Sequence, residues 1–122
     1  MSFSYYDGGK EIHNVSPAAA RYLSAQLKVE VGLLKNGKHY VLSIGTPSAI
    51  NYAPAKGVEL IYHTHPNGTI YPSIFDIGWL NKNNAYNATN ASSIILPLGK
   101  PAIKFNTKTT YAAPPPPLQI EE

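Results

Sequence analysis

The sequence predicts one α/β domain, with strands that make a central sheet and helices that flank it, and three observations lead there. Apolar runs rich in strand formers come in pairs around turn signals, at 29–34 with 39–44 and at 93–98 with 102–106, which reads as two hairpins. Ser16-Pro17, followed by Ala18, Ala19 and Ala20, opens a helix with Ser as N-cap and Pro at the first helical position. A further strand, Val58 to His65, runs into the break Pro66-Asn67-Gly68 and then into a second helix entrance at Pro72-Ser73. With 122 residues the chain can bury one core and not two. Residues 1–111 are therefore assigned to the domain, and 112–122, with Pro114 to Pro117 unable to pair or to continue a helix, to a proline-rich tail.

In chain order, residues 1–15 hold Tyr5-Tyr6 and the turn signal Asp7-Gly8-Gly9, and read as a short edge strand or irregular lead-in. The helix from Ser16 should end near Leu27. In the first hairpin, Asn36-Gly37 is the turn signal, and alternation puts Glu30, Gly32 and Leu34 on one face and Val29, Val31 and Leu33 on the other. Residues 45–57, punctuated by Gly45, Pro47, Pro54 and Gly57, make a loop long enough to lie over a site. The second helix is expected from Ile74 to near Asn81, with Ile77, Trp79 and Leu80 toward the core and an Asn-rich loop from Asn81 to Asn90.

Composition removes several functions. There is no cysteine, which excludes disulfides, thiolate ligands and a cysteine nucleophile. The net charge of +3 comes from ten basic residues that are spread out, so no cluster tracks a phosphate backbone and nucleic acid is not the expected partner. No apolar run reaches the length of a membrane span, and Met1-Ser2-Phe3-Ser4 lacks the features of a signal peptide, so the chain as given is expected in the cytoplasm.

The chemistry gathers between His63 and Asp76. By the period of two, His63 and His65 share a face of their strand, while Asp76 falls in the first turn of the following helix, so strand end and helix start converge. Two neutral imidazoles and one carboxylate form the three-ligand set of catalytic zinc, with the fourth tetrahedral position open to water. The bland readings stand beside this one: an isolated His-x-His is often an ordinary strand feature, and Ser73-x-x-Asp76 is also a helix capping box. His13 and His39 have no partners in sequence and read as surface or packing residues.

The spacing His63-x-His65-x(10)-Asp76, with Ser73 three residues before the Asp, resembles the signature of the JAB/MPN metalloprotease family, also called JAMM. The fuller string His-x-His-Pro-x-Gly-x(3)-Pro-Ser-x(2)-Asp-Ile is similar to prokaryotic branches of that family, including the RadC-like one and domains carried by polymorphic toxins. The motif covers residues 63–77. Glu30, in Val29-Glu30-Val31-Gly32-Leu33-Leu34, sits in a context similar to the family's Glu-x-Gly pattern, which extends the likeness over roughly residues 16–106. The resemblance implies an MPN-type, cytidine-deaminase-like fold, a central, curved, mixed sheet flanked by helices, in which His63, His65 and Asp76 hold Zn2+, Glu30 is the general base and Ser73 steadies the oxyanion. It implies hydrolysis of a peptide or isopeptide bond in a peptide or protein substrate, such as a ubiquitin-like or other protein tail. It also raises export as the C-terminal part of a larger toxin polypeptide.

Glu59 competes with Glu30 as base, since the period of two gives it the face of His63 and His65. Four residues of strand, about 13 Å, set it too far from His63 to share a water. Two other functions remain open: a non-catalytic, zinc-containing interaction module, against which the full ligand set argues, and a DNA-associated RadC-like role, against which the missing basic cluster argues. Oligomeric state has no signal in the sequence.

Overall fold

A computed structural model describes residues 6–7, 10–12 and 15–109. Its elements are β1 (Tyr6–Asp7), β2 (Lys10–Ile12), α1 (Pro17–Leu27), β3 (Val31–Asn36), β4 (His39–Ile44), β5 (Val58–His65), α2 (Ile74–Asn87), β6 (Ser93–Pro97) and β7 (Ile103–Phe105). Five strands lie in the order β4-β3-β5-β6-β7, and the short β1 and β2 both pair with β4. The β4-β3-β5 and β6-β7 pairings are antiparallel, and β5-β6 is parallel, so the sheet is mixed. A parallel pair needs a crossover, and α2 provides it, which carries the chain from the histidine strand over one face of the sheet. His13 and the tail at 112–122 lie outside the described residues.

Helix α1 begins as its residues dictate: Ser16 Oγ accepts from Ala19 N at 3.1 Å, with Pro17 just inside the helix. It ends at Lys28, which takes a left-handed conformation (φ 59°) and donates its N–H to Ser24 O. Its inner residues Ala20 and Leu23 pack on Val31, Leu33, Leu42, Tyr62 and Leu96. The other face of the sheet, with Leu34, Val41, Val58 and Leu60, packs on Ile50 and Trp79. Toward β7, Leu80 packs on Ile95 and Phe105. The expected alternation of β3 thus holds, with Val31 and Leu33 toward α1 and Leu34 toward α2.

Four expectations need correction. The strand begins at Val31, so Glu30 sits just before it, although its backbone still pairs with the end of β4 through Glu30 N to Thr46 O and Gly45 N to Glu30 O, each 2.8 Å. The hairpin connection is Gly37-Lys38, not Asn36-Gly37: Asn36 still pairs with His39, and Gly37 alone takes a positive φ (63°). One positive φ at the first loop position is the requirement of a II′ connection, whereas I′ needs two.

The third correction concerns Glu59. Leu33 pairs with Tyr62 but Leu34 with Leu60, so Ile61 is an extra residue in β5. Such a bulge reverses the facing of everything beyond it. Leu60 consequently shares the His63 side, and Glu59, exposed and opposite Lys35, does not.

The fourth is the length of α2, which runs through the expected Asn-rich loop to Asn87. Asparagine is a poor helix former because its amide competes for backbone groups. Here the amides bind backbone elsewhere: Asn83 accepts from Ala55 N (3.1 Å) and donates to Val58 O (2.8 Å), Asn87 accepts from Gly57 N (2.8 Å), and Asn84 donates to Ala91 O (3.1 Å). These bonds dock the second half of the helix on the start of β5. Among the described residues no helix is long and apolar enough to cross a membrane.

Candidate metal centre

His63 and His65 lie at the end of β5 beyond the bulge, and their side chains turn toward α2, where Asp76 occupies the third helical position. Asp76 is held there by the capping box. Ser73 Oγ accepts from Asp76 N at 3.0 Å, and Ser73 N donates to Asp76 Oδ2 at 2.8 Å. The same Oδ2 stands 3.0 Å from His65 Nε2, while Oδ1 stands 3.1 Å from His63 Nε2. One oxygen therefore serves cap and histidine together, and both oxygens face the imidazoles. The Nε2 atoms are 3.2 Å apart.

Glu30 completes the group. The end of β4 fixes its backbone, and its Oε1 lies 3.9 Å from His63 Nε2. All four residues are buried, and one donor atom from each falls within 4.8 Å of the others. The cluster could hold a metal ion. Ligand atoms about 2.0–2.1 Å from a zinc ion at tetrahedral angles stand about 3.3 Å apart, and the two Nε2 atoms and the Asp76 oxygens stand 3.0–3.2 Å apart. The donor set is thus compatible with a metal ion of zinc's size.

Electrostatics points the same way. His65 Nδ1 faces Thr69 O at 2.8 Å, and a carbonyl only accepts, so Nδ1 carries the proton and a neutral ring turns the bare lone pair of Nε2 toward Asp76. Lone pairs facing a carboxylate in a buried site repel unless a proton or a cation lies between them. Without a metal, protons do this. Burial works against the charged form of His65, yet its hydrogen bond and attraction to Asp76 outweigh this and raise its pKa. Burial would likewise raise Asp76, but the bonds from His63, His65 and the Ser73 N–H hold it well below the usual carboxylate range. Glu30 receives less help, since only the nearby His65 works to lower its pKa. Burial first, and the Asp76 carboxylate second, push it up to about 8, and its Oε1 has no hydrogen-bond partner among the described residues. His63 Nδ1 is also unpartnered there.

Access is through a cleft of about 170 Å³, with Pro47 and Ser48 on one side, Asn67 to Ser73 on the other, and Glu30 and His65 in its wall. The 45–57 loop does lie over the site, as its length suggested. It turns back tightly: a Cβ on Gly45 would fall 2.0 Å from Ala49 O, a position that only glycine can occupy. On the far side of the cluster, His63 and Asp76 also border an apolar recess formed by Ile50, Leu60, Phe75 and Trp79.

All five residues singled out in sequence are therefore brought together: His63, His65 and Asp76 in mutual contact, with Glu30 and Ser73 beside them. Glu59 and the exposed His39 are not. Sequence reasoning missed the Thr69 carbonyl that orients His65, for which the turn signal Asn67-Gly68 was the only hint, and the buried hydroxyls of Thr64 and Ser24 described below. In comparison with known proteins, no family model, no curated protein and no solved structure matches this chain, which leaves the buried donor set as the observation that bears on function.

Proposed function

We propose that this chain is a zinc-dependent hydrolase of the JAB/MPN type that cleaves a peptide or isopeptide bond. His63, His65 and Asp76 would hold the ion through the two Nε2 atoms and the Asp76 carboxylate. The observation that carries the reading is Glu30, a buried carboxylate beside the three closely spaced donors, with its Oε1 unpartnered among the described residues. A structural site closes its fourth position with a ligand, whereas hydrolysis needs a base next to an open one.

When bound, zinc supplies the Lewis acidity that makes a water nucleophilic near neutral pH. Glu30 would accept a proton from the attacking water at a carboxylate oxygen and return it to the leaving amine, so that the carboxylate would be regenerated in each cycle. Ser73 lines the same cleft, and its cap uses only a lone pair of Oγ. Its O–H remains available to donate to the oxyanion as the carbonyl is attacked. A cleft this narrow suits an extended segment, a peptide or a protein tail, better than a folded surface.

A second reading has one observation in its favour. Since all four donors lie within 4.8 Å, Glu30 could close the site as a fourth ligand in a non-catalytic interaction module. A panel of peptides and ubiquitin-like isopeptide conjugates, with and without chelator, tests the two. Cleavage that chelator abolishes and added zinc restores is the expected result; no cleavage of any substrate, with zinc lost in Glu30→Gln, would establish the closed site.

A further inference from the structure

The β3-β5 ladder stops short of the site. Its last paired residues are Gly32 and His63, and beyond them Val31 N donates not to a backbone carbonyl of β5 but to Thr64 Oγ1, at 2.9 Å. Thr64 stands between the two histidines and faces the other way, toward α1. Its hydroxyl donates to Ser24 Oγ at 2.7 Å, and Ser24 Oγ donates to Val29 O at 2.7 Å. The relay thus starts at the amide after Glu30 and ends at the carbonyl before it. Both hydroxyls are fully buried. From the opposite edge, Thr46 O and Gly45 N hold the amide and carbonyl of Glu30 itself. Glu30 has no strand partner on the β5 side, yet its backbone is clamped from two directions.

We propose that Thr64 and Ser24 are positioning residues, which hold Glu30 in register with His63 and His65 from the face of the sheet opposite the donors. The inference rests on the hydrolase reading for its consequence in catalysis, and on the hydrogen bonds alone for the clamp. A hydroxyl relay suits the task because its atoms are buried and each is satisfied, so any displacement of Glu30 relative to β5 would strand a buried polar group. It touches neither substrate nor metal. Its loss should move the base and leave the donors in place.

Thr64→Val keeps the side-chain shape and removes the relay, Thr64→Ser keeps the hydroxyl, and Ser24→Ala cuts the relay at its second link. Amide exchange in the metal-free protein is the first readout: the Val31 N–H should exchange about 10-fold faster or more in Thr64→Val and keep its protection in Thr64→Ser. Zinc affinity, by chelator competition, should be unchanged in all three variants. On a cleaved substrate, kcat should fall about 10- to 100-fold in Thr64→Val and in Ser24→Ala with KM steady, and recover in Thr64→Ser. Combined with Glu30→Gln, Thr64→Val should add almost nothing, since the residue it positions is already disabled. Unchanged Val31 exchange, loss of zinc along with activity, or a loss that adds in full to that of Glu30→Gln would each overturn the proposal. If the wild type cleaves nothing, the hydrolase reading has failed, and exchange and zinc affinity still decide the clamp.

Discussion

Glu30 Oε1 stands 3.9 Å from His63 Nε2, too far for a hydrogen bond and near enough to share a small molecule or an ion with it. On the hydrolase reading, Glu30 stands beside the ion as a base and is not one of its ligands. Glu30→Gln should therefore keep fold and zinc content while turnover falls by about 10²- to 10⁴-fold, the contribution of general acid–base catalysis. Metal analysis beside steady-state kinetics checks it. Release of zinc by this variant would make Glu30 a ligand.

One zinc per chain is expected, bound by both imidazoles and Asp76. His63→Ala and Asp76→Ala should each weaken zinc binding strongly, while His39→Ala, at the exposed end of the first hairpin, should leave it unchanged. Titration against a chromophoric chelator measures all three. Equal effects at the three positions would place the metal elsewhere.

The metal-free protein should lose stability as pH rises. Glu30 has a folded pKa of about 8 against an ordinary value of 4.5, so between these pH values the folded state binds more protons than the unfolded state. Stability from this group is full below 4.5 and is lost through 8, by no more than ~1.4 kcal/mol per pH unit for one proton. Asp76 acts in the opposite sense: its depressed pKa contributes stability above its ordinary value of 3.8 and loses it as pH falls below. Glu30→Gln should reduce the upper slope in urea titrations from pH 5 to 8, leaving the part due to His65, whose pKa is also raised, and should leave the acid limb in place. The proton that the proposed ligand His65 holds, with its raised pKa, must leave when zinc binds, so apparent zinc affinity should rise with pH.

Asn83 ties α2 to the strand entry by two hydrogen bonds to backbone groups. Asn83→Ala should cost about 1–3 kcal/mol, since it strands buried polar groups. Asn81→Ala, at an exposed position of the same helix, should stay within about 0.5 kcal/mol. Urea midpoints at constant m-value check both.

What the sequence by itself determined was local. The Ser16-Pro17 and Ser73-x-x-Asp76 caps, the paired runs around Gly37 and Gly99, and the strand from Val58 to His65 each follow from neighbours a few residues apart, where propensity, capping and turn chemistry act. The motif spacing likewise placed His63, His65 and Asp76 at one strand end and one helix start. Contacts across the chain decided the rest. The second half of α2 is docked by Asn83 and Asn87, whose amides bond to backbone groups of residues 55–58, and no window of local sequence contains those partners. Ile61 bulges out of the pairing of β5 with β3, and the bulge turns Glu59 away from the histidines. Glu30 reaches the cluster because β3 pairs with β5 across a separation of some thirty residues, and Thr64 with Ser24 holds it there through bonds between α1, β3 and β5. Pairing of distant strands is settled by burial of the sheet's two faces as a whole, a property of the folded chain that no single segment carries.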